Sequence, residues 1–171
     1  ILTVPLILEK IYKKMILPQL SKTTMKVALN IPLLDSRIYA QIRKKLVDAF
    51  GGRFREVIVG GAAMNEEVTN FLYKIKFPFT IGYGMTECGP LISYDHNDEY
   101  VPGSCGQILK GIMKVRIDSE DPYNKVGEIQ VSGENVMKGY YKNEEATSKV
   151  FTEDGWLRTG DLGTIDADNR I

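Results

Sequence analysis

The sequence predicts an α/β fold, in which an incomplete sheet with flanking helices is followed by a small antiparallel, barrel-like portion. Before residue 100, short β-branched runs alternate with segments of helical periodicity, as in parallel α/β sheets. After residue 100, apolar and polar side chains alternate as in half-exposed strands. We therefore expect an α/β portion at residues 1–100 and an antiparallel portion at residues 101–171.

Length and charge limit the possible functions. A chain of 171 residues can bury one substantial core. Its 22 basic and 22 acidic side chains cancel, so the chain has no overall charge that would attract nucleic acid. An apolar share of 43% is typical of soluble globular proteins.

The most apolar segment, "ILTVPLILEKIYKKMILP", predicts an amphipathic helix. Its apolar residues recur at helical spacing, with lysines on the opposite face: Leu8, Ile11, Tyr12, Met15 and Ile16. Charges interrupt the segment well before the roughly 20 apolar residues of a membrane span. Packing against a sheet is the main interpretation, and a helix lying on a membrane surface is the alternative. The start at Ile1, without an initiator Met, suggests a fragment of a longer chain.

Two helices and two strands are predicted in the rest of the α/β portion. A helix is predicted from about Ser36 to Phe50, closed by Gly51 and Gly52, and residues 18–35 are predicted to be a loop because they contain Pro18 and Pro32. Residues 57–59 read as a buried strand followed by a helix that Asn65 caps, and "FPFTI" reads as another buried strand.

The antiparallel portion is predicted from two alternating runs, at residues 113–118 and 128–132. The run Glu134–Glu145 reads as solvated surface, and a helix capped by Asn143 is expected at residues 144–150. The final "GWLRTGDLGTIDADNRI" predicts a strand, a sharp turn at Gly160 and Asp161, and half of a hairpin around residues 166–169.

The segment "GYGMTECGP", at residues 82–90, carries the strongest chemical signal. Glycines let a flat ligand approach the backbone, and a tyrosine ring offers a stacking face. Thr86 can donate to a phosphate oxygen, and Glu87 is a hard ligand suited to Mg²⁺. The alternative is a structural turn in which Thr86 caps a helix and Glu87 is solvated. "GGAAM" and "GYGMTE" both follow predicted strands, so we expect both to line one ligand crevice together with Asp161.

Three motifs in order, "GGAAM", "GYGMTECGP" and "GWLRTGDLG", resemble the acyl-adenylate-forming superfamily of acyl-CoA synthetases, firefly luciferase and peptide-synthetase adenylation domains. The Gly-Tyr-Gly-Met-Thr-Glu form and the opening "TVPLILEKIYKKM" are similar to long-chain fatty acid–CoA ligases. The resemblance covers the whole chain and implies part of the large N-terminal domain of such an enzyme.

The resemblance also implies the roles of individual residues. Thr86 and Glu87 correspond to the catalytic pair, with Thr86 on the adenylate phosphate and Glu87 on magnesium. Tyr83 corresponds to the residue packed on adenine, and Asp161 to the aspartate that accepts from both ribose hydroxyls. The remaining positions implied in nucleotide binding are Gly61, Ala62, Ala63, Gly84 and Met85. Trp156, Leu157 and Arg158 are interpreted as structural.

The implied reaction has two steps. A fatty acid carboxylate attacks ATP to give acyl-AMP and pyrophosphate, and coenzyme A then displaces AMP. ATP, Mg²⁺ and coenzyme A are the implied ligands, with no nucleic acid; the expected location is cytoplasmic, with peripheral membrane contact as an option. The family's phosphate loop, hinge and C-terminal lysine are expected outside this chain, so the isolated chain is expected to be inactive. Alternatives are a non-catalytic nucleotide-binding or interaction module, or an adenylating ligase for another carboxylic acid.

Cysteine and histidine carry weaker signals. Cys88 and Cys105 lack the spacing of a metal site and read as free thiols. His96, the one histidine, lies in an acidic loop and is interpreted as solvated.

Overall fold

A computed structural model describes residues 1–171. The chain forms two compact units, one of residues 1–80 and 96–103, and the other of residues 81–95 and 104–171. The expected division at residue 100 rests on the strand pattern, and the assignment of residues 1–100 and 101–171 to separate portions stays a prediction.

The first unit contains a three-stranded sheet in the order β1–β2–β3. Its strands are β1 Leu2–Thr3, β2 Val57–Val59 and β3 Phe79–Ile81. β1 and β2 run parallel, and Val57 and Val59 are fully buried. The predicted buried strands at residues 57–59 and 79–81 are therefore confirmed.

Helices account for most of the first unit. They are α1 Pro5–Ile11, a π-helical turn Tyr12–Ile16, α2 Leu17–Leu20, α3 Thr23–Leu29, α4 Leu34–Ala49 and α5 Glu66–Lys74. Leu8, Tyr12 and Ile16 are buried, whereas Met15 is 53% exposed and does not join the predicted apolar stripe. The wider π turn shifts the helical register by one residue and changes which side chains face inward. No helix has the length and apolarity that a membrane span requires.

The prediction of a loop over residues 18–35 is wrong, because α2 and α3 occupy much of it. Pro18 is the second residue of α2 and directly follows the π-helical turn, where the backbone hydrogen bonding already departs from the α pattern. Pro32 lies beyond α3 and interrupts neither helix.

The predicted second helix is confirmed as α4, which begins two residues earlier than expected. Gly51 and Gly52 adopt positive φ angles of 91° and 72°, and the Gly52 amide donates to the Val47 carbonyl at 2.9 Å. This closure by glycine at the helix end is the one the sequence predicted.

The second unit contains a two-stranded sheet of β4 Tyr83–Gly84 and β5 Leu91–Ser93 and an antiparallel sheet in the order β6–β7–β8. The strands are β6 Met113–Asp118, β7 Gly127–Gly133 and β8 Leu157–Gly163, with β6 and β7 paired from Met113↔Gly133 to Asp118↔Glu128. Its core consists of the buried residues Cys88, Ile92, Met113, Ile117, Ile129, Val131 and Leu157. The predicted antiparallel strands are confirmed. So is the helix at residues 144–150, α6 Glu144–Val150, whose cap Asn143 accepts from the Ala146 amide at 3.0 Å.

Strand β8 differs from its prediction at Gly160 and Asp161. The strand continues through both residues, and its pairing with β7 shifts register between Glu128 and Gln130. The predicted sharp turn is therefore a bulge, in which Gly160 has a φ of 76°. The turn at residues 166–169 is confirmed by the Asn169 amide, which donates to the Asp166 carbonyl at 3.0 Å.

A polar network supports the outer face of this sheet. Arg116 donates to Gln130 Oε1 at 2.7 Å and to both oxygens of Asp154, and its guanidinium lies 4.6 Å from the centre of the Trp156 ring. These hydrogen bonds keep the pKa of Asp154 well below its usual range. Leu157 is buried and Arg158 pairs with Glu128 at 2.9 Å, so residues 156–158 make the structural contacts expected of them.

Candidate nucleotide site

The motif "GYGMTECGP" forms a tight hairpin. Strand β4 Tyr83–Gly84 pairs antiparallel with β5 Leu91–Ser93, and the Met85 amide donates to the Pro90 carbonyl at 2.8 Å. A Cβ atom on Gly84 would lie 2.0 Å from the Pro90 oxygen. Glycine is therefore required at residue 84 for the two strands to approach each other.

Thr86 begins a short 3₁₀ turn, Thr86–Cys88, at the tip of this hairpin. Its side chain is exposed, and its hydroxyl makes no hydrogen bond within the protein and caps no helix. The alternative in which Thr86 caps a helix is therefore wrong. The hydroxyl remains available to a ligand.

Glu87 is held by one of its two oxygens. Oε1 accepts a hydrogen bond of 2.9 Å from the Tyr140 hydroxyl, and Oε2 accepts none from the protein. The same hydrogen bond raises the pKa of Tyr140. Glu87 is therefore an oriented carboxylate rather than the freely solvated side chain of the structural alternative.

The Glu87 carboxylate fits a magnesium ion whose other ligands come mainly from a bound substrate. No group of three or more His, Cys, Asp or Glu side chains in residues 1–171 could hold a metal by itself. Mg²⁺ is commonly held by one or two carboxylates together with substrate phosphates. A single oriented carboxylate with one unengaged oxygen matches that mode, and it does not match a metal cage built entirely from protein.

Tyr83 and Asp161 are brought together from two separate motifs. The Tyr83 hydroxyl donates to Asp161 Oδ2 at 2.9 Å, across 78 positions of sequence. Burial of the ring raises the pKa of Tyr83, and its hydrogen bond to Asp161 acts in the same direction. Asp161 is exposed in the β8 bulge, and its other oxygen accepts no hydrogen bond from the protein.

The remaining predicted site residues lie in different surroundings. Gly61, Ala62 and Ala63 are exposed in the turn between β2 and α5, in the first unit, and Gly61 has a φ of 86°. The next helix begins at the predicted cap, since Asn65 Oδ1 accepts from the Val68 amide at 3.3 Å. Met85 packs against the core of the second unit. Roles of all these residues in nucleotide binding stay predictions.

Two residues that support this hairpin, Asn135 and Tyr140, do not stand out in the sequence, because the charged run Glu134–Glu145 predicts solvated surface. Asn135, Val136 and Met137 are half-buried, and Asn135 and Tyr140 make hydrogen bonds to residues 87–91. The aromatic residues after Gly139 are the available signal, although Tyr141 is 89% exposed and only Tyr140 makes a hydrogen bond to the hairpin.

His96 and Cys88 have structural surroundings. His96 Nδ1 lies 3.5 Å from Glu56 Oε1, and the imidazole is half-exposed. Cys88 is fully buried, and Cys88 and Cys105 are free thiols as predicted. Burial raises the pKa of the Cys88 thiol to about 11.

We expect Cys88 to resist alkylation in the folded protein. At pH 8 its thiol stays protonated, and thiolate is the reactive form, so iodoacetamide should modify it about 100-fold more slowly than in the unfolded chain. Mass spectrometry of a Cys105→Ser variant, labelled with and without urea, measures this ratio. Equal labelling in the two conditions would contradict the burial described above.

The comparison with known families decides the classification. The model of the family described as "AMP-binding enzyme" matches residues 1–141. This chain belongs to the AMP-binding enzyme family. The hairpin at residues 82–90 and its Thr86 and Glu87 lie within the matched part.

Relatives within the family act on different acids, to judge by their names. The chain is 35% identical over 153 residues to 4-coumarate-CoA ligase 1 of Narcissus pseudonarcissus, covering 82% of this chain and 28% of that protein. It is 30% identical over 167 residues to long-chain-fatty-acid–CoA ligase 1 of Saccharomyces cerevisiae, covering 91% of this chain and 24% of that protein. The chain thus spans about a quarter of the length of these relatives.

A solved structure shares the fold. A malonyl-CoA ligase in a ternary product complex with methylmalonyl-CoA and AMP matches with a TM-score of 0.68 and 26% identity, over 99% of this chain and 32% of that one. The predicted class, a mixed α/β part of an adenylate-forming enzyme, is therefore confirmed.

Proposed function

We propose that this chain is part of an ATP-dependent acyl-CoA ligase, which activates a carboxylic acid as acyl-AMP and transfers the acyl group to coenzyme A. The hydrogen bond from Tyr83 to Asp161 carries this proposal. This bond joins Tyr83, whose ring can stack on the base, to Asp161, whose carboxylate can accept from the sugar hydroxyls. A nucleotide site needs both groups close together.

Each polar group at this site has capacity left for a ligand. Asp161 uses one acceptor position on Tyr83, and a carboxylate offers about four, so it can still accept from two ribose hydroxyls. The Thr86 hydroxyl is unengaged and can donate to a phosphate oxygen. The Tyr83 ring is fixed through its hydroxyl, which orients its face for stacking on adenine.

Glu87 is the residue that would hold magnesium. A bound Mg²⁺ supplies charge neutralisation on the triphosphate when the acid attacks. The chain's own contribution is to orient the Glu87 carboxylate and to fix the turn that carries Thr86. Catalysis of this kind depends on positioning and electrostatic stabilisation rather than on a nucleophilic side chain.

We propose a long-chain fatty acid as the substrate. The Gly-Tyr-Gly-Met-Thr-Glu form of the motif, the opening helix and the similarity to a yeast long-chain-fatty-acid–CoA ligase support this choice. An aromatic acid is the second candidate substrate, because the chain is 35% identical to a 4-coumarate-CoA ligase.

Acid-dependent exchange between pyrophosphate and ATP tests both assignments in the full-length protein. We expect exchange with palmitate to exceed exchange with 4-coumarate or malonate at least tenfold. Preference for 4-coumarate would overturn the fatty acid assignment and leave the ligase intact. AMP binding without exchange for any acid would instead support a non-catalytic nucleotide-binding module.

A cytoplasmic location belongs to the same proposal, with peripheral membrane contact as its alternative. Val4, Leu6 and Ile7 are exposed at the start of the chain, which is the feature that such contact would use. Flotation of the full-length protein with lipid vesicles distinguishes the two.

A further inference from the structure

Residues 135–140 form a brace against the hairpin that carries Glu87. Asn135 Nδ2 donates to the carbonyls of Cys88 and Leu91 at 2.5 and 3.0 Å, and the Met137 amide donates to the Glu87 carbonyl at 2.7 Å. The Glu87 backbone is thereby held from the same segment that holds its side chain.

The Tyr140 end of the brace is itself anchored. The Tyr140 amide donates to Thr147 Oγ1 at 2.9 Å, and that hydroxyl donates to the Asn143 carbonyl at 2.8 Å. A Cβ on Gly139 would lie 2.7 Å from Thr147 Cγ2, so the backbone before Tyr140 lies directly against helix α6. The backbone that carries the Tyr140 side chain is therefore held in place, and its hydroxyl reaches Glu87 from a defined direction.

The hydrogen bond selects one orientation of the Glu87 carboxylate. A glutamate side chain without such a partner samples several staggered rotamers. With Oε1 engaged by Tyr140 at 2.9 Å, Oε2 is the oxygen left without a protein partner. Outer-shell hydrogen bonds of this kind orient ligating carboxylates.

We infer that Tyr140 is a positioning residue for cation binding by Glu87, with its hydroxyl holding Oε1 so that the other oxygen meets the cation of the nucleotide complex. This inference rests on the proposed function of Glu87. It adds a residue, far along the chain from the motif, that sets how well the motif binds its cation.

Tyr140→Phe tests this, with Tyr141→Phe as the matched control, because Tyr141 is adjacent and 89% exposed. In the full-length protein we expect Tyr140→Phe to raise the Mg²⁺ concentration for half-maximal pyrophosphate exchange about tenfold, within the range known for outer-shell partners. The rate at saturating Mg²⁺, and thioester formation from supplied acyl-AMP, should change little. Tyr141→Phe should behave as wild type.

A binding measurement separates the inference from activity. Mn²⁺ titrated with a non-hydrolysable ATP analogue, and followed by electron paramagnetic resonance, should bind about tenfold more weakly to Tyr140→Phe. In a Glu87→Gln background, Tyr140→Phe should add almost nothing, because the carboxylate it positions is gone.

The outcomes are distinguishable. If Glu87→Gln weakens Mn²⁺ binding and Tyr140→Phe does not, the positioning role is overturned and the proposed function stands. If Glu87→Gln leaves metal binding and exchange unchanged, both fail. If Tyr140→Phe impairs both half-reactions equally and lowers the thermal midpoint, Tyr140 has only a structural role, which also overturns the inference.

Discussion

Replacing Gly84 with alanine is expected to disrupt the hairpin that carries Thr86 and Glu87. The new methyl group would lie 2.0 Å from the Pro90 oxygen and 2.9 Å from its carbonyl carbon. Both are backbone atoms, so no side-chain rotation relieves the clash, and the Met85 amide loses its partner on Pro90. We expect a cost at the upper end of that for overpacking, about 3 kcal/mol.

Hydrogen exchange followed by mass spectrometry measures this locally, in peptides that cover residues 82–93 of the full-length protein. Gly163→Ala is the matched control, because its Cβ would meet only side-chain atoms, the nearest being Ile129 Cδ1 at 3.0 Å, and that side-chain end can move. We expect lost protection of residues 82–93 in Gly84→Ala and retained protection in the control. Full protection in Gly84→Ala would show that the hairpin is not as tight as described.

The elements predicted correctly are those that local sequence determines. Val57 and Val59 are fully buried and Ile58 is partly buried on the opposite face of the sheet, and such a strand appears in sequence as a short branched apolar run. Asn65 and Asn143 cap their helices through contacts three residues away, so short-range reasoning suffices to find them.

The errors arose where one residue type permits two structures. Pro18 predicts a loop, but a helix accommodates proline where its hydrogen bonding departs from the α pattern, as it does at the π-helical turn before residue 17. Gly160 predicts a turn, although a glycine with a positive φ also suits a bulge inside a strand. The choice between a turn and a bulge depends on how β8 pairs with β7. That pairing joins residues far apart in sequence, since the Thr159 hydroxyl donates to the Ile129 carbonyl 30 residues away.

The candidate site was predicted through its motifs, but its internal contacts were not. Tyr83 meets Asp161 across 78 residues and Tyr140 meets Glu87 across 53. Periodicity and capping signals do not extend over such distances. The local sequence consequently predicts a solvated surface at Tyr140, although its hydroxyl donates to the Glu87 carboxylate.

Glu87→Gln is expected to reduce the adenylation rate about 100-fold, a loss typical of removing one electrostatic contact from an active site. The amide keeps the shape of the side chain and an oxygen that can accept from Tyr140, but it is a poorer ligand for a hard cation. The triphosphate is present only when acyl-AMP is made. Thioester formation from supplied acyl-AMP should therefore be almost unaffected.

The ratio of the two half-reaction rates in Glu87→Gln, relative to wild type, tests most directly whether this site binds the triphosphate through a cation on Glu87. Exposed Glu134 provides the control variant, Glu134→Gln. Pyrophosphate exchange with palmitate measures the first half-reaction, and thioester release from palmitoyl-AMP measures the second. We predict a fall of about 100-fold in this ratio for Glu87→Gln and none for Glu134→Gln. An unchanged ratio in Glu87→Gln would contradict the assignment of Glu87.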